Sequence, residues 1–269
     1  MNDLDSRWVL PDWHEAMQWS KARNGQGMKV TLDILGESSR KENEIQDSVN
    51  EYMSLVQTIA AERLDAAVTI KITSLGYLLD RDVCLRNVLD IGRAANEARI
   101  GFEIDMEGRS LVDFSLTVAR NCMENGLNAT VALQAYLDRT GTDLESMIES
   151  GIRVRLVKGA YAGDLKEFHE IQSRFVGLAK VLSESGVEFA LGTHDPEIIS
   201  WIAAELAQTK GKIELGMLKG LSDATKLGFA KRGWKVAEYV PFGPNATAYV
   251  HRRVEYLQDL QAQGRSPAP

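Results

Sequence analysis

Cysteine is scarce in this chain of 269 residues, and Cys84 and Cys122 are its only two. They show no CxxC spacing, which excludes a disulfide framework and a zinc knuckle and leaves two buried thiols as the expectation. The four histidines, His14, His169, His194 and His251, lack ligand spacing, so no metal is expected. No apolar run reaches the ~18 residues of a spanning helix, and no basic leader opens the chain. The protein is therefore expected to be soluble and cytoplasmic. Positive charge is the minority: Lys and Arg number 31 against 38 Asp and Glu, giving a formal net charge of −7. That balance argues against a general nucleic-acid footprint. There is no GxGxxG after the first strand pattern and no P-loop, so any cofactor is held in some other way.

What is present is a regular alternation. Short apolar or alternating runs bounded by Gly, Asn, Asp or Pro predict eight strands, at Lys29–Gly36, Ala67–Ser74, Gly101–Asp105, Ala129–Tyr136, Ile152–Gly159, Val187–Gly192, Ile213–Met217 and Val236–Pro241. Helical spacing recurs between and after them, as in Glu42–Glu62, Leu111–Asn125, Leu165–Glu184, Pro196–Thr209 and Ala246–Gln263. Eight β-then-α units in a chain near the roughly 250 residues of a closed barrel predict a (β/α)8 TIM barrel, with a doubly wound open sheet as the alternative. The domain reading is an N-terminal helical extension over 1–28 that caps the barrel, the barrel over 29–262, and a frayed tail over 263–269. Trp8, Trp13 and Trp19 in the extension are expected to pack into the core.

In such a barrel, chemistry gathers at the C-terminal ends of the strands. The polar residues there are Glu37, Lys71, Asp105 with Glu107, Gln134 with Tyr136, Arg155 with Lys158 and Tyr161, Thr193 with His194, and Tyr239. Arg155-Leu-Val-Lys158-Gly-Ala-Tyr161 sets two cations in an otherwise buried strand, and buried cations demand anionic or electron-rich partners. His194 lies in Gly192-Thr-His-Asp-Pro-Glu197, where Asp195 reads as an N-cap and Pro196 as N1, and a hydrogen bond from His194 to a ligand or cofactor is expected. Tyr249, Arg252 and Arg253 stand at i, i+3 and i+4 and share a helix face. Adjacent arginines suit a carboxylate, because each guanidinium can donate two parallel hydrogen bonds. Together these residues suggest a site for a small anion.

The blocks Arg155-Leu-Val-Lys-Gly-Ala-Tyr161, Gly192-Thr-His194, and Tyr239-Val-Pro-Phe-Gly243 followed by Tyr249-Val-His-Arg-Arg253 resemble the signature blocks of the proline dehydrogenase family. Weaker matches in the same order are Asp33-Ile-Leu-Gly-Glu37, Thr69-Ile-Lys71, Ile104-Asp-Met-Glu107 and Leu133-Gln-Ala-Tyr136. The resemblance spans about residues 29–256. It implies a flavin-dependent TIM barrel that oxidises L-proline to 1-pyrroline-5-carboxylate and passes electrons to a quinone-type acceptor, with transient contact at a membrane surface. It implies that Gln134, Arg155, Lys158, Gly159, Ala160, Thr193 and His194 hold FAD, with FMN as an alternative. It implies that Lys71, Tyr161, Tyr239, Tyr249, Arg252 and Arg253 surround the substrate, that Asp105 pairs near Lys71, and that Glu37 is a gate partner for an arginine. Lys71, Asp105, Arg155, Tyr239, Arg252 and Arg253 are the residues it assigns to catalysis.

The chain also departs from that pattern. Ala162 follows Tyr161 where a tryptophan is common, Asn245-Ala-Thr-Ala248 replaces a bulkier stretch, and Tyr256 stands where Arg-Arg-x-x-Glu would place a glutamate. These changes suggest a reshaped pocket and an unsteadied arginine pair, and they make hydroxyproline or another cyclic imino acid a competing substrate. Two other classes remain open at this point: a Schiff-base lyase using Lys71 or Lys158, and a silent relative that binds an imino acid without turnover.

Overall fold

The computed structural model describes residues 7–161 and 163–269. Eight parallel strands close into a barrel in chain order: β1 (Lys29–Ile34), β2 (Ala66–Ile70), β3 (Gly101–Ile104), β4 (Ala129–Gln134), β5 (Arg153–Val157), β6 (Phe189–Gly192), β7 (Ile213–Leu218) and β8 (Lys235–Phe242), which pairs back onto β1. The helices that alternate with them are α2 (Glu42–Glu62), α3 (Arg81–Glu97), α4 (Val112–Glu124), α5 (Thr140–Glu149), α6 (Phe168–Ser185), α7 (Pro196–Glu205), α8 (Asp223–Lys231) and α9 (Thr247–Ala262), with α1 (Trp13–Gly25) ahead of β1. The closed barrel is the predicted one, and the open sheet is excluded. Several expected strands overran their C-terminal ends. Residues 72–74, for example, leave the sheet as a 3-10 turn, because the mouth needs loops there.

Strand parity organises the interior. Residues such as Val68, Ile70, Phe102, Ile104, Val131, Leu133, Val154, Leu156 and Leu215 alternate outward and bury their side chains beneath the helices. Inward positions are divided by strand. The even strands contribute mostly small residues, Ala67, Thr69, Thr130, Ala132, Ala190, Gly192 and Ala237. The odd strands fill the resulting space with long charged chains. At the bottom, Glu214 takes ion pairs from Lys29 (3.3 Å) and Arg153 (3.3 Å). Above it, Arg155 meets Glu103 at 2.7 Å and Asp105 at 2.8 Å.

The first helix takes an unexpected place. Residues before α1 run beside the C-terminal end of β8, where the Leu10 N–H donates to the Pro241 carbonyl and the Gly243 N–H to the Leu10 carbonyl. From there α1 descends the flank of β8 and β1, so it occupies the barrel's outer ring instead of capping the barrel as expected. It is fastened by Glu238, an outward, fully buried carboxylate on β8. Glu238 receives both Nε (2.8 Å) and Nη2 (3.0 Å) of Arg23, the indole N–H of Trp19 (2.6 Å), and an ion pair from buried Lys226. Trp8 is buried and Trp19 partly so, but Trp13 is 55% exposed and departs from the core expectation. With the flank position filled, α9 lies over the mouth and becomes the cap. Its small neighbour Ala246 packs with Trp8, Val9, Leu35, Leu221 and Tyr249, which lets the helix settle close to the barrel.

The last residues are docked rather than frayed. The Ala268 N–H donates to the His194 carbonyl (3.0 Å), and Thr225 donates its N–H to the Pro269 carbonyl (2.8 Å). Arg265 pairs with Glu197 at 2.8 Å and stacks over Phe168. Among the described residues no helix is long and apolar enough to cross a membrane.

Candidate active site

A cavity opens at the C-terminal ends of the strands under α9. Its walls bring together Lys71, Asp105, Gln134, Arg155, Lys158, Gly159, Ala160, Tyr161, Thr193, His194, Tyr239, Tyr249, Arg252 and Arg253. Of the residues singled out from the sequence, Glu37, Glu107 and Tyr136 are outside the lining, and Glu37 touches the cavity through Arg252.

One wall is a linked set of carboxylates and cations. Lys71, at the end of β2, reaches Asp33 of β1 at 2.5 Å and Asp105 at 3.8 Å. Burial pulls the Lys71 ammonium down, but Asp33 and Asp105 outweigh it and hold its pKa well above the usual range. Lys71 is therefore a fixed cation and a poor Schiff-base nucleophile. Asp105 also accepts from Arg155 Nη2 (2.8 Å) and from the Tyr239 hydroxyl (3.1 Å). The expected pairing of Lys71 with Asp105 is thus present but secondary, since the tighter partner is Asp33. Arg155 is likewise compensated within the protein, by Glu103 and Asp105, rather than standing as an open anion site.

The opposite wall comes from α9. Arg252 stacks over Tyr161 (4.9 Å) and approaches the Glu37 carboxylate at 3.5 Å. Arg253 stacks over the buried Tyr249 ring (5.1 Å) and has no ion pair among the described residues. Its Nε and the Tyr249 hydroxyl are buried without hydrogen-bond partners there. Burial raises the Tyr249 phenol to about 12, against the pull of Arg253. Tyr256 also lines the cavity, while Glu255 turns to solvent and pairs with His251. The missing glutamate after the arginines thus leaves Arg253 uncompensated, whereas Arg252 is steadied by Glu37 and Tyr161. Residues 245–248 do not line the cavity, so their small size does not enlarge it. Ala162 lies outside the described residues.

The flank formed by the β5 and β6 ends carries Lys158, Thr193 and His194. Lys158 pairs with Asp195 at 3.1 Å and sits over the Phe168 ring. Burial draws its pKa down, while Asp195 works against that shift. Asp195 caps α7 as expected, accepting from the N–H groups of Glu197 and Ile198. His194 differs from its expectation as a ligand donor. Its Nε2 accepts the Leu218 N–H (2.8 Å), so Nδ1 carries the hydrogen and donates to Ser222 Oγ (2.8 Å). Burial, with Lys226 and Arg253 nearby, lowers its pKa to about 3. Both ring nitrogens are committed to the protein, and only ring carbons remain for the cavity.

Asp33 and Glu103 are the site residues that reading the strand ends alone overlooked. Strand parity was the available signal: Thr31 and Asp33 alternate with apolar residues in β1, as do Glu103 and Asp105 across the end of β3. Among the described residues no group of three or more metal-ligating side chains is assembled.

A closed eight-stranded barrel with a cavity lined by charged residues at its C-terminal mouth defines a barrel enzyme. The family model described as proline dehydrogenase matches residues 16–174. Proline dehydrogenase 1 of Bacillus subtilis subsp. natto is 31% identical over 256 residues, covering 92% of this chain and 85% of the relative. The proline dehydrogenase of Deinococcus radiodurans is 28% identical over 267 residues, covering 94% and 86%. The chain belongs to the proline dehydrogenase family and, with it, is an oxidoreductase. A solved structure of proline utilization A from Bdellovibrio bacteriovorus inactivated by N-propargylglycine has the same fold, with TM-score 0.85 and 24% identity. The match covers 93% of this chain and 32% of that longer one.

Proposed function

We propose that this protein oxidises the CH–NH bond of L-proline to give 1-pyrroline-5-carboxylate, with FAD as its flavin and a quinone-type molecule as the later electron acceptor, the first step of proline catabolism. The observation that carries this reading is the opposed polarity of the cavity walls. Arg253, without an ion pair among the described residues, and its neighbour Arg252 face a wall where Glu103 and Asp105, with Asp33 buried behind Lys71, outnumber Lys71 and Arg155. A zwitterionic amino acid matches that arrangement, with its carboxylate on the arginines and its amine toward Asp105 and Tyr239. The names of the relatives supply proline as the particular amino acid.

The residues present fit a flavin. Among the described residues the buried Nε of Arg155 has no partner, Lys158 and the Gln134 amide line the same flank, and Gly192 and Gly216 line the cavity without side chains. These residues with Ala160 and Thr193 would hold it, and when bound it supplies the acceptor for the hydride leaving the carbon beside nitrogen. The protein's share is orientation. Guanidinium pairs fix the carboxylate, Tyr239 and Tyr249 bracket the ring, and the charged wall is preorganised before substrate enters. With α9 over the mouth, water is restricted and the charges act at closer to full strength.

The test is the visible spectrum of the protein, supplied with FAD, before and after anaerobic L-proline. Bleaching of the bound flavin band is expected. A bound flavin that stays oxidised would move the substrate to another cyclic imino acid, hydroxyproline first, and failure to bind flavin would overturn the reading.

A further inference from the structure

Tyr136 does not line the cavity, yet it joins two of its walls. Its hydroxyl lies 2.8 Å from the Tyr161 nitrogen and 2.6 Å from Gln134 Oε1. A backbone N–H can only donate, so the Tyr161 N–H gives its hydrogen to the phenol oxygen. The phenol hydrogen is then directed to Gln134, which sets the near atom of that amide as its oxygen. Gln134 Nε2 points the other way and donates to the Glu107 carbonyl at 3.1 Å, a group that can only accept. Backbone groups at both ends thus fix the polarity of the whole chain, and the second Nε2 hydrogen is left for the cavity that Gln134 lines. Burial raises the Tyr136 phenol to about 12, so the hydroxyl keeps its hydrogen across the working range.

The ring is fixed as firmly as the hydroxyl. A Cβ at Gly159 or at Gly163 would overlap it, and Gly159 has a φ of +133° that side chains rarely adopt. The Tyr136 backbone adds three bonds: its N–H donates to the Lys158 carbonyl (3.1 Å), and its carbonyl accepts from Asp164 (3.1 Å) and Leu165 (3.0 Å). Every segment on either side of position 162 that reaches the site is therefore tied to this one residue.

We propose that Tyr136 is a positioning residue that locks the Gln134 amide with its N–H toward the bound cofactor and couples it to the loop presenting Tyr161 to the substrate. The ligand chemistry implied is a hydrogen-bond acceptor on a planar ring, such as a flavin ring carbonyl, so the inference rests on the flavin reading above. Removing the phenol oxygen leaves Gln134 Oε1 without its donor and Tyr161 N–H without its acceptor. The cost is then felt in cofactor affinity and substrate affinity together.

The experiment is FAD titration of flavin-free wild-type protein and Tyr136→Phe, with the KM for L-proline and the melting temperature measured alongside. The variant keeps the ring and its contacts with Gly159 and Gly163. Its FAD dissociation constant is expected to rise about tenfold and its KM about fivefold, with the melting temperature moving by only a few degrees. Unchanged FAD affinity overturns the inference, and a lower melting temperature with both affinities intact does the same, since the bond would then be structural only. Wild-type protein that binds no FAD overturns the flavin reading itself, and the inference with it. A check independent of any variant is hydrogen exchange of wild-type protein over residues 159–165. FAD is expected to slow exchange there, and an unchanged rate would contradict the coupling.

Discussion

Arg252 and Arg253 are adjacent in the sequence but unequal in their surroundings. Arg252 must leave Glu37 to serve a ligand, whereas Arg253 has no carboxylate partner to leave among the described residues. Arg253→Ala is therefore expected to raise the KM for L-proline about a hundredfold and Arg252→Ala about tenfold, with flavin retention unchanged in both. Equal effects on KM would mean that Glu37 does not compete. Asp33 offers a second test. Asp33→Asn leaves the buried Lys71 ammonium short of its tightest partner, and urea unfolding should show a loss of about 3 kcal/mol. Adding Lys71→Met should recover much of that stability, because the unpaired charge is then gone. The arginine pair was legible in the sequence because i, i+3, i+4 spacing is a property of one helix. Asp33 was not found by reading strand ends, because its importance depends on β1 lying beside β2, a neighbour relation that appears only when register is combined with parity.

Helix periodicity and turn residues were enough to read eight β/α units, and α2 runs over the predicted Glu42–Glu62. Placement was less legible. Local patterns define a helix but not which neighbour covers it, so α1 took a flank position where a cap was expected, and the cap is α9. The decisive group is Glu238, whose burial on the outside of β8 requires the cations that α1 and α8 bring. Arg23→Met is expected to lower the unfolding free energy by about 3 kcal/mol in chemical denaturation, and a neutral result would show that Lys226 alone satisfies Glu238. The C-terminal segment was misread for a similar reason. Its Gly, Ser and Pro content speaks of weak local preference, while its docking comes from His194, Thr225 and Glu197, distant in sequence. Deleting residues 265–269 should accelerate hydrogen exchange over 193–197, where Thr193 and His194 sit. Unchanged protection there would mean that the segment rests on the barrel without restraining it.

For the whole molecule, the buried neutral His194 ties stability to pH. Its pKa is about 3 in the folded protein against an ordinary 6.5, so between these values the unfolded chain binds the proton first. The contribution is fully present above pH 6.5 and declines as pH falls, by up to about 1.4 kcal/mol per pH unit. Unfolding curves for wild type and His194→Asn from pH 7 to 4 should diverge in slope, with the wild type steeper.

The division of the barrel interior between small even-strand residues and charged odd-strand residues has a consequence for how such a site can change. Room and charge are assigned to different strands. Enlarging Ala132 or Ala237 would narrow the cavity while leaving the Glu103–Arg155 and Asp33–Lys71 pairs in place. Altering any odd-strand charge would instead disturb partners from the floor to the mouth. New ligand sizes are thus reachable by single substitutions, whereas a new ligand charge pattern requires several at once.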